Sequence, residues 1–132
     1  MSVHHYNQEV IEALRAASTD GELACALAFK VGAAHNTAPA DIGKALDLEE
    51  ISIVKCQLGL FGYKPDKKIV RPAESVSEEI KKEITAELDD GKLTCERAWA
   101  IAKKLKISKM DVAAACETLG VKIKTCQLGA FQ

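Results

Sequence analysis

Apolar residues in the second half of the chain recur with the period of an α-helix. Ile80, Ile84 and Leu88 follow one another at four-residue spacing, with Ser77 before them as a cap and Gly91 after them. This pattern predicts a first helix of about eleven residues.

The stretch after this helix predicts two more helices and a strand. A second apolar stripe consists of Leu93, Ala98, Ile101, Ala102 and Leu105. Ser108 is then a cap for a third helix that ends at Gly120, with Val112, Cys116 and Leu119 facing inward. Beyond it, residues 121–126 alternate apolar with polar side chains, the period of a half-buried strand.

The first half of the chain repeats this plan. Shifted by seventy residues, Glu9–Phe61 aligns with Glu79–Phe131 without a gap, and fifteen of the 53 pairs are identical. The repeat therefore predicts helices near 8–18, 22–34 and 39–48 and a strand near 51–56. The predicted domains are residues 1–62, a connector at 63–77 that contains Pro65 and Pro72, and residues 78–132. At about sixty residues, each unit is near the lower limit for folding alone.

Residues 98–121 carry a more specific pattern. Ala102 is a small residue where two helices approach, Ile107 anchors a tight turn, and Val112 and Cys116 seat the third helix. This segment resembles the general helix-turn-helix, or winged-helix-like, superfamily, and residues 32–45 match it more loosely. The resemblance implies a mainly α fold of two tandem three-helix helix-turn-helix units, each followed by a short strand, related by an internal pseudo-twofold axis. We expect the two strands to pair with each other antiparallel.

A helix-turn-helix protein reads DNA through the exposed face of its third helix. The resemblance places Ser108, Lys109, Met110, Ala113, Ala114 and Glu117 there in the second unit, and Ala38, Pro39, Ala40, Gly43, Lys44 and Asp47 in the first. Base edges are most often read by Arg, Lys, Asn or Gln. These faces are nearly empty of such side chains, so contacts with phosphates are better supported than contacts with bases.

The net charge of −1 conceals an asymmetry between the two halves. Residues 1–62 carry a net charge of −4 and residues 63–132 a net charge of +3. Candidate phosphate-binding residues in the second unit are Lys103, Lys104, Lys106, Ser108, Lys109, Lys122 and Lys124. A solvated lysine-rich rim is the alternative interpretation.

Each unit ends in the same motif, CQLGxF. It comprises Cys56, Gln57, Leu58, Gly59 and Phe61 in the first unit, and Cys126, Gln127, Leu128, Gly129 and Phe131 in the second. We expect Leu and Phe to enter the core, Gly to allow a bend and Gln to bond free backbone groups. In the alternative interpretation, the repeat-paired Cys25, Cys56, Cys95 and Cys126, with Cys116 as a fifth candidate, bind a metal or an iron–sulfur cluster.

The remaining features exclude several classes of protein. No apolar run approaches the length of a membrane span, and the N-terminal sequence does not resemble a signal peptide, so the expected location is the cytoplasm, with no membrane partner. No catalytic motif is recognised, and no cofactor is expected. The leading hypothesis is a non-enzymatic, DNA-associated transcriptional regulator. The alternatives are a protein-interaction module, with another protein or a second copy of the chain as partner, and a thiol-based metal or redox sensor.

Overall fold

The computed structural model describes residues 8–63 and 68–130, and it shows a mainly helical protein with short strands. The first unit (residues 8–62) contains α1 Gln8–Ala17, β1 Glu22–Ala24, α2 Cys25–Ala34, α3 Pro39–Leu48 and β2 Ser52–Val54. The second unit (residues 78–130) contains α4 Glu78–Ala86, β3 Leu93–Thr94, α5 Cys95–Leu105, α6 Lys109–Leu119 and β4 Ile123–Lys124. The same order of helices and strands thus occurs in both units.

The strands pair within each unit, in parallel. Leu23 lies opposite Ile53 in the β1–β2 pair, and Leu93 lies opposite Ile123 in the β3–β4 pair. The expected antiparallel pairing between the units is therefore wrong. Two helices separate the strands of each pair, and a crossover of this kind returns the chain in the same direction. The expected β2–β4 pairing does not occur because each strand already has a partner inside its own unit.

Strands β1 and β3 were not predicted, and the second helix of the first unit was expected to begin near residue 22. A tight turn precedes each strand, with positive φ at Asp20 and Gly21 and at Asp90 and Gly91. Two backbone hydrogen bonds between Thr19 and Glu22, of 2.8 and 3.0 Å, close the first turn. Such turns suit an Asp-Gly pair, because glycine adopts positive φ without steric cost. They place the next two or three residues alongside the strand that follows the third helix.

The segments that carry the CQLGxF motif cross between the units. We call residues 56–61 the first tail and residues 126–130 the second tail. Leu58 of the first tail is fully buried in the core of the second unit, together with Ile84, Leu93 and Val112. Leu128 of the second tail is buried in the core of the first unit. Each unit therefore completes the hydrophobic core of the other.

The contact between the second tail and α3 is tight. Gly43 lies in the middle of α3, and a Cβ atom added there would stand 1.8 Å from the carbonyl oxygen of Leu128. Only glycine lets the tail backbone approach this closely. The matching residue of α6 is Ala113, which is buried. Phe61 packs partly buried against the core of the second unit, whereas Phe131 lies outside the described residues.

An aromatic contact also joins the two units. The ring centroids of Phe29 on α2 and Trp99 on α5, which occupy matching positions, are 4.3 Å apart with the planes inclined at 45°. Aromatic pairs at this distance add to the area that they bury. Within the described residues, no helix is long and apolar enough to cross a membrane.

Candidate functional site

The turn between α5 and α6 is built from well-capped helices. Thr94 caps α5 through a hydrogen bond from the backbone N–H of Arg97, and α5 ends at Lys106 in the left-handed conformation. Ser108 caps α6 in a reciprocal box: its hydroxyl accepts from the N–H of Asp111, whose carboxylate accepts from the N–H of Ser108. This arrangement gives hydrogen-bond acceptors to the backbone N–H groups of both Ser108 and Asp111. The turn is therefore a rigid platform for the lysines around it.

Three of the six candidate lysines are bound within the chain. Lys104 donates to both carboxylate oxygens of Glu83, at 2.9 and 3.0 Å, and this contact raises the pKa of Lys104. Lys124 pairs with Asp89 at 3.0 Å and lowers the pKa of that carboxyl group. Lys109 donates to the side-chain oxygen of Gln57 at 3.1 Å. A phosphate would have to share or displace these partners.

The other three lysines are exposed, but they are not together. No ion pair to Lys103, Lys106 or Lys122 occurs in the part of the chain that the structure describes. Lys103 and Lys106 lie at the end of α5, next to the first turn of α6, whereas Lys122 follows the last turn. An eleven-residue helix spans about 16 Å. Lys122 is therefore separate from Lys103 and Lys106, and the exposed lysines do not form a single patch.

The expected DNA-reading face of α6 is covered by the chain that leaves the first unit. Met110 packs against Gly59, Ala113 is buried, the carbonyl of Ala114 accepts from the N–H of Ala73 at 3.2 Å, and Glu117 pairs with Lys68. The expectation that this face is exposed is wrong for Met110, Ala113, Ala114 and Glu117. The segments that cover it, residues 57–60 and 68–73, belong to the first tail and the connector.

The corresponding face of α3 in the first unit is more open. Ala38, Ala40, Lys44 and Asp47 are exposed and Pro39 is half-buried, but Gly43 is covered by the second tail. The expectation of exposure is therefore wrong for Gly43. The exposed residues include one lysine, and no Arg, Asn or Gln is among them.

A groove opens beside the α5–α6 turn. Its volume is about 890 Å³. Its charged and polar walls are formed by Lys55, Gln57, Tyr63, Glu96, Lys103, Ser108, Lys109 and Gln127. Three lysines against one glutamate give the groove a net charge of +2. The first unit contributes Lys55 and Gln57 and the connector contributes Tyr63, so the chain that crosses from the first unit lines part of the groove.

Trp99 also lines this groove. The ammonium group of Lys109 stands 4.3 Å from the centroid of its ring, in a cation–π contact. Phe29 packs against the same indole. The indole N–H of Trp99 is buried and has no acceptor among the described residues. Tyr63 is another aromatic residue that lines the groove, and its hydroxyl donates to the carbonyl of Cys56 at 2.5 Å.

The groove residues Lys55, Tyr63, Trp99 and Gln127 were not predicted as parts of one site. Lys55 belongs to the first unit and Tyr63 to the connector, and both border the first tail, whose crossing brings them to the second unit. The nearest signal was the matched pair of aromatic residues at positions 29 and 99, which marks a contact between the units.

Three of the cysteines, Cys25, Cys95 and Cys116, are buried, and burial raises the pKa of each thiol. Cys25 and Cys95 are the first residues of α2 and α5, and their sulfurs accept from the side-chain amides of Gln57 and Gln127 at 3.7 and 3.6 Å. Burial outweighs these bonds: it raises the pKa of Cys25 and raises that of Cys95 to about 11. It also raises the pKa of Cys116 to about 11. A thiol with a raised pKa is a poor nucleophile and a poor metal ligand at neutral pH.

The candidate metal ligands are not assembled as a site. Cys25, Cys56, Cys95, Cys116 and Cys126 are all free thiols. Over residues 8–63 and 68–130, no group of three or more His, Cys, Asp or Glu side chains is arranged to hold a metal ion. The expected role of the glutamines also differs, since their side-chain amides bond cysteine sulfur.

Comparison of the chain with protein-family models, with curated proteins and with solved structures found no match.

Proposed function

We propose that this protein is a non-enzymatic nucleic-acid-associated regulator that holds the phosphate backbone at the α5–α6 turn without reading bases. The observation that carries the proposal is the positively charged groove beside this turn. Lys55, Lys103 and Lys109 all line this groove. Lysines that neutralise phosphates supply most of the affinity in binding that is independent of sequence.

The covered face of α6 supports the second part of the proposal. Sequence is read when side chains of a recognition helix reach base edges in the major groove. Here the tail and connector lie on that face, and Met110 and Ala113 point into protein. A protein arranged in this way is expected to bind with little preference for sequence.

The proposal includes the architecture that the sequence repeat suggests. We propose two helix-turn-helix units related by a pseudo-twofold axis. The shared order of elements, the matching turns at Asp20–Gly21 and Asp90–Gly91, and the reciprocal burial of Leu58 and Leu128 support it. In this arrangement the first unit serves mainly to complete the second.

The test is retention of nucleic acid by the protein at low salt. We expect a mobility shift with both a random-sequence duplex and its separated strands, and little change when the sequence is altered. Lys103→Glu combined with Lys106→Glu should remove most of the shift. The control is Lys81→Glu with Lys82→Glu on α4, which makes the same change of charge at exposed sites outside the groove. Equal shifts for the two double variants would contradict the proposal.

A second candidate function is a protein-interaction module, and the covered face of α6 favours it too. The exposed residues of α3 include two aspartates, Asp41 and Asp47, against one lysine, and Leu48 at the end of the helix has an exposed fraction of 65%. Under this alternative, nucleic acid is not bound even at low ionic strength. A purified partner with a basic segment is retained, and retention is reduced by Leu48→Lys.

A further inference from the structure

The groove beside the α5–α6 turn suggests which kind of nucleic acid the protein takes. We infer that it is a site for single-stranded nucleic acid, in which the three lysines hold successive phosphates of one strand. This inference rests on the proposed function and deepens it. It uses the shape of the site as well as its charge.

The shape favours one strand over a duplex. Lys55 of the first unit and Lys103 of the second unit both line this groove. Proteins that bind single strands without sequence preference use a positive groove that follows the backbone. A helix-turn-helix protein instead binds a duplex by placing its recognition helix in the major groove, and α6 is unavailable for this because the first tail lies on its outer face.

The helix end that opens onto the groove adds donors for a phosphate. Ser108, Lys109 and Met110 at the start of α6 all line the groove. The capping box occupies the N–H of Ser108 and of Asp111. The first N–H groups inside a helix have no partner within it, so those of Lys109 and Met110 are suited to an anion.

The aromatic side chains limit what the bases can do. One side of Trp99 carries the ammonium group of Lys109, and Phe29 packs on the same indole. The ring is therefore not open for stacking. Tyr63 is the other aromatic residue of the groove, and its hydroxyl is already bonded. We expect at most one base to stack, and hence a weak preference among bases.

The salt dependence gives the expected size of the effect. Neutralising one phosphate of a single strand contributes a slope of about −0.7 to the dependence of log K on log salt. Three lysines therefore give a slope near −2, so affinity should fall about 18-fold between 50 and 200 mM salt. Lys55→Gln with Lys103→Gln leaves one lysine, and the same change of salt should then weaken binding only about threefold.

The experiment measures the anisotropy of a fluorescein-labelled 15-nucleotide oligo(dT) and of a duplex of the same length, with the full chain. The fluorescence of Trp99, the one tryptophan of the sequence, reports occupation of the groove directly. We expect oligo(dT) to bind more tightly than the duplex and to change the emission of Trp99. The variant Lys55→Gln/Lys103→Gln should lose most of this binding, whereas the control Lys81→Gln/Lys82→Gln should keep it. Helical circular dichroism shows that both variants are folded.

The outcomes separate this inference from the proposed function. Equal affinity for oligo(dT) and duplex, or an equal loss in both double variants, overturns the single-strand groove but leaves backbone binding in place. Binding that does not alter the emission of Trp99 also overturns the groove as the site. Absence of binding to either probe at 20 mM salt overturns both the inference and the proposed function.

Discussion

Replacement of Gly43 by alanine tests the exchange of tails most directly. An added Cβ would stand 1.8 Å from the carbonyl oxygen of Leu128 and 2.8 Å from its carbonyl carbon. Backbone atoms cannot rotate away as a flexible side chain can, so the second tail must move by more than 1 Å or leave its position on α3.

The structure sets limits on how far Gly43→Ala lowers the free energy of unfolding. Release of the tail exposes Leu128, and the transfer of a buried leucine side chain to water costs roughly 1.5–3 kcal/mol. The exchange of glycine for alanine inside a helix contributes about 1 kcal/mol in the opposite direction. We therefore expect Gly43→Ala to lower the free energy of unfolding by about 0.5–2 kcal/mol, although the same exchange at an open helical site would raise it.

The assay is equilibrium unfolding in urea, followed by the fluorescence of Trp99 and by helical circular dichroism. Ala40→Gly, on the exposed side of α3, is the matched control and should cost about 1 kcal/mol through helix propensity alone. In a Leu128→Ala background the tail is held less firmly, so the cost of Gly43→Ala should shrink or change sign. A Gly43→Ala protein as stable as the parent, or more stable, would show that the tail does not lie on α3.

Other substitutions test the remaining features. Ser108→Ala should lower the free energy of unfolding by about 1 kcal/mol because it removes the cap of α6. Ala38→Ser, at the uncapped start of α3, should raise the free energy of unfolding by a smaller amount. Thermal unfolding measures both changes. Leu58→Ala should lower the free energy of unfolding by about 2–5 kcal/mol. Amide hydrogen exchange should then show a loss of protection in the helices of the second unit. A loss of protection confined to the first unit would refute the crossing of the tails between the units. Trp99→Phe should change stability by no more than about 1 kcal/mol in a urea titration, because the smaller ring also removes an unpaired buried N–H. The pKa of the Cys95 thiol is raised from 9.0 to about 11, so the native state holds this proton more tightly than the unfolded state. The contribution of this thiol to stability should be complete below pH 9 and be lost as the pH rises from 9 to 11. A Cys95→Ala variant should therefore show a smaller fall in stability over this range.

The helices could be predicted from sequence because their signals are local. Apolar spacing, the caps at Ser77 and Ser108 and the glycine after α6 all act within a few residues, and these helices occur where they were expected. Strand β1 was missed for the opposite reason. Residues Glu22–Ala24 resemble the start of a helix, and only pairing with Ser52–Val54, thirty residues later, makes them extended.

The candidate site was only partly predictable for a similar reason. The lysines at the end of α5 are visible as a charge cluster, so the sequence indicates which unit carries positive charge. It does not indicate that Lys104 and Lys124 are occupied by carboxylates, or that Lys55 crosses from the other unit. The two ion pairs and the position of Lys55 depend on tertiary contacts between residues that are distant in sequence. The CQLGxF motif indicated burial of its leucine, but its local sequence contained no information about which core would receive it.

The exchange of tails has a consequence for how many chains make one folded molecule. Two tails with nearly the same sequence each dock on the opposite unit, so the docking itself does not require that both come from one polypeptide. The connector at residues 63–77 favours docking within one polypeptide because it keeps the two units close, at an effective concentration in the millimolar range for a short link. Free copies at ordinary protein concentrations cannot compete with this. Tethering therefore favours docking within one chain, and it leaves each half free to change its surface charge without changing the contact that holds the two halves together.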